Sequence, residues 1–320
     1  MPTLVIQIPC LNEEESLPIT LQELPRQVEG FDTVLWMVID DGSTDSTVEV
    51  AKNHGVDHIL RIGGNRGLAN AFRNGIREAL RLGADVIVNT DADNQYQAED
   101  IPLLTAPILA GEAEIVVGTR PISTTAHFSA RKKVLQKLGS WVVRIASRTR
   151  VEDAPSGFRA ISKEAAQRLN VFGDYTYTLE TIIQAGWQRM RIISVPIRTN
   201  RDLRPSRLLK SISMYVRVST ITIIRSFVAY RPFHFFGISG LVTFLFGLLI
   251  GLRFLYFYAT GDGNGHVQSL ILTAVLLTTG FMLMMVALIA DLISINRKLL
   301  EKVDQRLASL EEHNRSHNGE

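Results

Sequence analysis

The first 200 or so residues alternate between short apolar runs and longer amphipathic stretches. The apolar runs predict strands at Leu4–Ile8, Val34–Ile39, His58–Ile62, Val86–Val88 and Ile115–Val117. Helix-like segments lie between them, at about 13–28, 44–54, 67–82 and 98–110. Near-continuous apolar strands that alternate with helices are typical of a mainly parallel sheet covered on both faces. The pattern therefore predicts an α/β domain.

Polar residues cluster where the predicted strands end. The clusters are Asn12-Glu13, Asp40-Asp41, Asn65-Arg66, Asp91 with Asp93, and Arg120. Asp and Asn are common turn formers, so Asp91 and Asp93 alone could mark an ordinary turn. However, ligands of such sheets bind beyond the carboxyl ends of the strands. Five polar clusters at one edge therefore favour a binding site over a set of unrelated turns.

The last third of the chain carries two long apolar runs. Phe233–Tyr258 contains one charge, Arg253, and Val267–Ala290 contains none. Each exceeds the roughly 20 apolar residues that cross a bilayer, so we predict two transmembrane helices. The alternative is a pair of buried core helices. The connector 259–266 is short, which predicts an antiparallel hairpin.

Basic residues flank the two runs on one side only. They are Arg201, Arg204, Arg207, Lys210, Arg217, Arg225 and Arg231 before the first run, and Arg297, Lys298, Lys302 and Arg306 after the second. The connector has neither Lys nor Arg. Because basic flanks stay in the cytoplasm, we expect a multi-pass protein of the cell membrane or an ER-type membrane, with a cytoplasmic N-terminal domain. The single cysteine, Cys10, and the absence of a signal-peptide pattern fit this expectation.

Residues 206–230 mix apolar and basic side chains and favour interfacial amphipathic helices. An ordinary surface helix is the alternative. Leucines and a valine at 3-4-3 spacing in 296–312 suggest a short coiled coil, so homo-oligomers through the spans and the tail are compatible with the sequence. The predicted organisation is a catalytic domain at 1–205, interfacial helices at 206–232, a hairpin at 233–293 and a cytoplasmic tail at 294–320.

The net charge of +2, from 34 basic and 32 acidic residues, indicates no particular partner, and we expect no nucleic acid. The Asp91-Ala92-Asp93 segment offers hard oxygen ligands, which suit Mg²⁺ or Mn²⁺ when substrate phosphates complete the shell. No His/Cys cluster has zinc spacing, and neither the P-loop nor the dinucleotide fingerprint occurs. A diphosphate would therefore be held by a metal ion and basic side chains.

Six motifs occur in the order typical of family 2 glycosyltransferases of the GT-A fold. They are PCLNEEE (9–15), DDGSTD (40–45), NRGLANAFRNG (65–75), DADNQ (91–95), VGTR (117–120) and DAPSGFR (153–159). With TLETII (178–183) and NRDLRPSRL (200–208), the chain most resembles the polyprenyl-phosphate sugar transferases of the dolichol-phosphate mannose synthase group. The resemblance covers residues 4 to about 210 and implies a Rossmann-like GT-A catalytic domain. The processive-synthase motif Q-x-x-R-W is not found, which argues against a polymerase.

The resemblance also implies roles for individual residues. For the nucleotide-sugar donor they are Pro9, Leu11, Glu13, Ile39, Asp41, Asp91, Ala92, Asp93, Gln95 and Arg120, with Asp91, Asp93 and Gln95 at the metal. For the acceptor and its phosphate they are Ser156, Gly157, Arg201, Ser206 and Arg207. The catalytic candidates are Asp93, Asp153 and Glu180.

Several of these positions have plainer alternatives. Residues around Pro9 could form a simple strand-to-helix turn, Asp40 a helix cap, Arg120 a surface salt bridge, and Glu180 a helix-surface carboxylate. The sequence also departs from the family pattern R-x-x-G-x-S-K at 201–207. The glycine is lacking, Pro205 precedes Ser206, and Arg207 replaces lysine.

The implied reaction is attack by a polyprenyl phosphate oxygen on the anomeric carbon of a GDP- or UDP-sugar, with inversion. A phosphomonoester has a second pKa of about 6 and is already anionic near neutrality. We therefore assign no general base, and we expect Asp153 and Glu180 to position groups. The competing hypotheses are a non-catalytic membrane scaffold that binds a nucleotide sugar or lipid, and transfer to another lipid such as diacylglycerol.

Overall fold

The structure is a computed structural model that forms two compact units, Met1–Ile224 and Arg225–Glu320. It describes residues 2–121, 140–171 without 142, 145 and 146, 177–200, single positions between 217 and 228, 231–261 and 267–318. The predicted interfacial helices at 206–232 lie mostly outside these residues, as do residues 262–266 of the predicted connector 259–266.

The first unit contains a seven-stranded sheet. Its strands are β1 (Thr3–Cys10), β2 (Thr33–Asp40), β3 (His58–Arg61), β4 (Val86–Asn89), β5 (Ile115–Thr119), β6 (Arg159–Ser162) and β7 (Ile192–Pro196). The order across the sheet is β3-β2-β1-β4-β6-β5-β7. Only β6 is antiparallel to its neighbours, β4 and β5. The mainly parallel sheet is confirmed, and all five predicted strands are present, while β6 and β7 were not predicted.

The helices of this unit follow the predicted alternation with shorter bounds. They are α1 (Leu17–Glu23), α2 (Thr47–Asn53), α3 (Leu68–Arg81), α4 (Ile101–Leu109), α5 (Lys163–Arg168) and α6 (Thr178–Trp187). The helix predicted at 13–28 is the most shortened. It ends because Leu24 takes an extended conformation before Pro25, and proline disfavours a helical residue before it.

The sheet is packed on both faces. Leu4, Ile6 and Ile8 of β1 are fully buried in a cluster that includes Leu17 and Leu21 of α1. The other face receives α3 at close range. A Cβ added to Gly75 would lie 2.5 Å from the side-chain oxygen of Gln7 and 2.9 Å from Ile39. Gly75 therefore lets the middle of α3 lie directly on β1 and β2.

The second unit contains two long helices, α7 (Pro232–Ala259) and α8 (Val267–Asn318). Glycines allow them to approach closely: a Cβ on Gly240 would lie 2.9 Å from the Gly280 carbonyl oxygen, and a Cβ on Gly247 would lie 2.8 Å from Leu276. The later position in α7, Gly247, meets the earlier position in α8, Leu276, so the two helices are antiparallel. Residues 294–318, predicted as a separate tail, continue α8.

Both long helices could span a membrane. Pro232–Ala259 and Val267–Asn296 have mean hydropathies of 2.2 and 2.3 over their most apolar windows. Only 11% and 17% of these windows are buried, and most of their leucines are exposed. This exposure does not fit the alternative of two soluble core helices, which would be buried.

Candidate active site

The parallel strands bring their polar ends to one edge of the sheet. Cys10 of β1 pairs with Asp40 of β2, and Gln7 of β1 pairs with Asn89 of β4. The polar clusters that follow β1, β2 and β4 are therefore neighbours in space as well as similar in sequence. This is the edge at which ligands bind in sheets of this kind.

The loop after β2 is held by its two aspartates. Asp41 accepts hydrogen bonds from the backbone N–H groups of Arg66 and Gly67, at 3.0 and 2.7 Å. Asp40 accepts from the Ser43 N–H at 2.9 Å, and α2 begins after Ser46, so Asp40 is not a helix cap. Asp41 thus fixes the start of α3 against β2, and its contact with the ribose or base stays a prediction.

The loop after β1 is bound to the loop after β2. Asn12 Oδ1 accepts from the Thr44 N–H at 2.8 Å, and the Glu13 N–H donates to Thr47 Oγ1 at 2.8 Å. Pro9 and Ile39, two of the predicted donor contacts, are buried at the ends of β1 and β2. Leu11 and Glu13 are partly exposed on the loop itself. Donor contacts at these four positions remain predictions.

The segment after β4 carries the predicted metal ligands. Asp93 Oδ1 accepts from the Gln95 N–H at 3.2 Å, and Asn94 between them has a φ of 54°. Ala92 is 4% exposed, and its carbonyl accepts from Thr20 Oγ1 at 3.0 Å. Asp91, Asp93 and Gln95 remain partly exposed. The hypothesis of a turn and the hypothesis of a binding site are therefore compatible, because the turn presents the side chains of Asp91, Asp93 and Gln95 together.

The electrostatics of this segment favour a cation. Asp91 keeps an exposed edge, but protein atoms crowd its carboxylate, and this burial together with the charge of Asp93 raises the pKa of Asp91 to about 7. The described residues contain no group of three His, Cys, Asp or Glu side chains that could enclose a metal ion. Two carboxylates and the Gln95 amide oxygen fit Mg²⁺ or Mn²⁺, because these ions are bound by few carboxylates plus substrate phosphates.

Arg120 and Asp153 form a buried ion pair. Arg120 Nε lies 2.7 Å from Asp153 Oδ2, and Arg120 Nη2 lies 3.0 Å from Asp153 Oδ1. The two side chains are 11% and 0% exposed, so the alternative of a surface salt bridge is wrong. Burial opposes the charge of Arg120, but the Asp153 carboxylate raises the pKa of Arg120. Asp153 therefore holds a permanent positive charge next to the metal segment, where Arg120 acts electrostatically on Asp91.

The Ser156–Gly157 loop is held directly against the metal segment. The Gly157 N–H donates to the Tyr96 hydroxyl at 3.1 Å, and its carbonyl accepts from Asn89 Nδ2 at 2.9 Å. Ser156 Oγ is buried and has no hydrogen-bond partner among the described residues. The predicted acceptor loop and the predicted metal ligands are thus neighbours in the structure.

Arg159 fixes the other side of this loop. It is 1% exposed, and its guanidinium donates to the Ser156 carbonyl and, at 2.7 Å, to Thr181 Oγ1 of α6. Its burial lowers the pKa of Arg159. Glu180 lies on the same helix and is 4% exposed, so the helix-surface alternative is wrong. The catalytic role of Glu180 stays a prediction.

The sequence predicted no role for several residues that organise the site: Asn89, Tyr96, Arg159 and Tyr177. Tyr96 and Tyr177 directly border quoted motifs and Arg159 lies within one, while Asn89 stands two residues before DADNQ. A charged residue at the start of the apolar β6 was the available signal for Arg159. No sequence pattern indicates the contact of Tyr177, whose hydroxyl accepts from Asn89 Nδ2 at 2.8 Å across 88 residues.

The chain returns to the metal segment before it reaches the predicted phosphate-binding residues. The Asn200 N–H donates to the Gln95 carbonyl at 2.9 Å. Tyr96 and Thr199 form an isolated antiparallel β-bridge. Arg198 binds the buried Asp100 at 2.7 Å. Arg201, Ser206 and Arg207 follow directly but lie outside the described residues.

The family predicted from the motifs is confirmed. The family model for Glycosyl transferase family 2 matches residues 5–173, more than half of the chain, and the protein belongs to this family. It is therefore a glycosyltransferase.

Several curated relatives are similar over the catalytic part. The undecaprenyl-phosphate mannosyltransferase of Micrococcus luteus is 29% identical over 63% of this chain and 85% of its own. The polyprenol monophosphomannose synthase of Mycolicibacterium smegmatis is 28% identical over 64% and 80%. The UDP-N-acetylglucosamine–dolichyl-phosphate N-acetylglucosaminyltransferase of Methanococcus voltae is 30% identical over 60% and 83%.

Solved structures support the fold. The glucosyl-3-phosphoglycerate synthase of Mycobacterium tuberculosis, in complex with Mn²⁺, UDP and glucosyl-3-phosphoglycerate, aligns with a TM-score of 0.52. It is 20% identical and covers 72% of this chain and 80% of its own. This similarity confirms the predicted GT-A-like α/β architecture.

Proposed function

We propose that the protein transfers a sugar from a GDP- or UDP-sugar to a polyprenyl phosphate, with inversion at the anomeric carbon. The observation that carries the proposal is the direct packing of the Gly157 loop against Asp91, which brings the metal segment and the acceptor loop together. The named relatives support the acceptor, since the names of two contain undecaprenyl-phosphate or dolichyl-phosphate and the third is a polyprenol monophosphomannose synthase.

Asp91, Asp93 and Gln95 would hold Mg²⁺ or Mn²⁺ together with the donor diphosphate. A cation there supplies charge stabilisation to the departing nucleoside diphosphate. Arg120 adds a positive charge in a fixed position, because its guanidinium donates two hydrogen bonds to the Asp153 carboxylate. A preorganised cation of this kind costs no reorganisation when the leaving group becomes negative. Asp153 is therefore a positioning residue in this mechanism.

The acceptor phosphate is its own nucleophile. Because it is anionic near pH 7, the chain does not need to remove a proton from it. Ser156 and Gly157 would face the acceptor, and Arg201, Ser206 and Arg207 would bind its phosphate. The hydrogen bond between Asn200 and Gln95 supports this assignment, because the segment 201–207 follows Asn200 directly and so begins beside a predicted metal ligand. Arginine suits bidentate phosphate binding.

The two apolar helices give the enzyme access to its lipid. A polyprenyl chain remains in the bilayer, so an enzyme that uses it must work at the membrane surface. Helices α7 and α8 are long and apolar enough to anchor the protein there. We propose that the catalytic unit lies on the cytoplasmic side, where the basic flanks of the two helices are retained.

The test is a donor panel with purified full-length protein in detergent. GDP-mannose, UDP-glucose and UDP-N-acetylglucosamine are each incubated with a short-chain polyprenyl phosphate and Mn²⁺, and the glycolipid is measured by mass spectrometry. We expect one donor to yield a sugar–phosphate–polyprenol. Parallel reactions with diacylglycerol test the alternative acceptor. Nucleotide and lipid binding without any product across a wider donor panel would contradict the proposal and favour the scaffold hypothesis.

A further inference from the structure

We propose that Trp141, Arg144, Arg148 and Arg150 form a surface that docks the first unit on an anionic membrane. We call these four residues the Trp141 surface. The inference rests on the proposed function for one point, namely that the enzyme works at a membrane. It goes beyond that proposal, because the membrane contacts predicted so far are the two apolar helices and the segment 206–230.

Trp141 stands on the outer face of a helical segment. Residues 140, 141, 143, 144 and 147 are helical, and Ser140, Val143 and Ser147 are buried. The spacing of these three buried positions follows the period of a helix, so they mark its inner face. Trp141 is 52% exposed, more than any other large apolar side chain among the described residues of 2–200. The inner face of the segment is thus packed without any contribution from the tryptophan.

The inner face attaches the segment to the rest of the catalytic domain. Ser140 Oγ accepts from the Ala154 N–H at 3.3 Å. A Cβ on Gly186 of α6 would overlap the Ser147 carbonyl oxygen and would lie 2.8 Å from Thr149 Cγ2. The segment is therefore held against α6 and against the start of the predicted acceptor loop. A membrane contact on its outer face would keep that end of the loop attached to the docked surface.

The arginines give the Trp141 surface a positive charge. Arg144 follows Trp141 by three residues, about one helical turn, and is half-buried, while Arg148 and Arg150 are exposed. None of the three arginines forms an ion pair with a carboxylate in the part of the chain that the structure describes. The sequence itself has neither Asp nor Glu from 121 to 151. The charge of this surface is therefore available to an anionic partner.

An anionic membrane fits this combination of side chains better than a protein partner does. Tryptophan is enriched where a membrane meets water, because its ring is apolar and its N–H is polar. Basic side chains near a membrane are attracted to anionic headgroups. A stable protein interface, by contrast, has a core of several apolar side chains, and Trp141 is the one large apolar side chain that is exposed among the described residues of 140–154.

The experiment measures the tryptophan fluorescence of the full-length protein in lipid nanodiscs. The bilayer contains phosphatidylglycerol as its anionic lipid, and phosphatidylcholine whose acyl chains are either plain or brominated near the glycerol. Bromine quenches a tryptophan only when the two are close to contact. The chain has tryptophan at 36, 141 and 187 and none in α7 or α8, so quenching reports on the first unit alone. No donor or acceptor substrate is added.

Tryptophan variants identify which side chain meets the lipid. We expect brominated lipid to quench one tryptophan's share of the wild-type emission and none of the emission of Trp141→Phe. The combination of Trp36→Phe and Trp187→Phe leaves Trp141 as the only tryptophan, and the quenched fraction should rise. Trp36 is 6% exposed and Trp187 is half-buried, so neither is expected to reach the lipid.

Charge variants test whether the arginines hold the surface on the membrane. Arg144→Glu removes one attraction to the headgroups and adds one repulsion, so we expect at least about twofold less quenching than in the wild type. Arg77→Glu is the matched control, because it makes the same charge change at an exposed arginine of α3. It should be quenched as the wild type is.

Four results would overturn the inference. They are a wild type that brominated lipid does not quench, equal quenching in Trp141→Phe, wild-type quenching in Arg144→Glu, and quenching that appears only after polyprenyl phosphate is added, which would indicate a substrate contact. If Trp141→Phe does not fold, the variant that retains Trp141 alone decides, and its failure to be quenched overturns the inference. Because no substrate is present, failure of sugar transfer would defeat the proposed function and leave this result standing.

Discussion

Gly157 lies directly against the carboxylate of Asp91: a Cβ at position 157 would stand 2.9 Å from Oδ2 and 3.0 Å from Oδ1. Real Cβ atoms almost never come so close, so a side chain here must displace one of the two residues. The predicted acceptor loop therefore needs glycine at this position because of a predicted donor-site carboxylate that precedes it by 66 residues, from 91 to 157.

Gly157→Ala should consequently weaken Mn²⁺ binding as well as sugar transfer. The methyl group pushes the Asp91 carboxylate out of place, and we expect at least about a tenfold loss of Mn²⁺ affinity, or roughly 1.4 kcal/mol. Titration of Mn²⁺ by electron paramagnetic resonance measures it. Gly63→Ala is the control, because a Cβ there meets nothing within 4 Å. Normal Mn²⁺ affinity in Gly157→Ala would show that the contact is not tight in solution.

The pH dependence of cation binding should follow Asp91. Its pKa is raised to about 7 by burial and by the charge of Asp93, so below this pH a proton occupies the carboxylate that the cation needs. Affinity for Mn²⁺ should therefore fall by up to tenfold per pH unit below about 7, with a proton released on binding. Calorimetry in buffers of different ionisation enthalpy measures that proton. A pH-independent affinity between pH 6 and 8 would contradict the assignment.

The same shift predicts the sign of a stability effect in the metal-free protein. Asp91 keeps its proton up to about pH 7 when folded, whereas the unfolded residue ionises near pH 4. The folded state thus binds more protons, and this residue lowers the free energy of unfolding as pH rises between those values. In excess chelator, which keeps the protein free of metal, Asp91→Asn should stabilise it more at pH 8 than at pH 5, as measured by thermal unfolding. An equal effect at both pH values would argue against the raised pKa.

Asp153→Asn should destabilise the catalytic unit. It leaves the guanidinium of Arg120 buried without its carboxylate, and breaking a buried ion pair in this way costs about 3–5 kcal/mol. The free energy of unfolding in urea measures the loss. Arg81→Ala, which breaks the exposed pair with Glu78, should have little effect and serves as the control. A small loss in Asp153→Asn would mean that Arg120 has another partner.

The connector between the two apolar helices should face away from the catalytic unit's compartment. A cysteine placed at Asn264 should react with an impermeant thiol reagent applied to intact cells. The native Cys10 should stay silent, because it is 2% exposed and its burial raises the pKa of its thiol. Labelling only after the membrane is opened would reverse the orientation and place the donor site outside the cytoplasm.

The sequence predicted the parts of the fold that depend on local pattern. Strands β1 to β5 are apolar runs between amphipathic helices, and their parallel pairing places their polar ends together. Strand β6 was missed because it begins with the charged Arg159 and pairs antiparallel with β4 and β5. Strand β7 is a short edge strand that gave no distinct signal.

The site was predicted as a set of residues but not as a network. Motif order named Asp91 and Gly157 separately, while their contact depends on how β4 and β6 pair. Tyr96 and Tyr177 reach Gly157 across 61 and 20 residues, and no periodicity encodes such distances. The burial of the Arg120–Asp153 pair could not be predicted from the sequence either, because the folded surroundings decide whether a charge is buried.

Asp93→Ala tests the central claim most directly. The residue is partly exposed in a turn beyond β4, so the variant should unfold at the same temperature as the wild type. Formation of sugar–phosphate–polyprenol is measured with the donor that the panel identifies, at saturating Mn²⁺ and a short-chain polyprenyl phosphate. The account predicts Mn²⁺-dependent product in the wild type and a loss of at least about a hundredfold in Asp93→Ala, since charge stabilisation of a leaving group is worth that much. Wild-type product formation in Asp93→Ala, or in excess chelator, would contradict it.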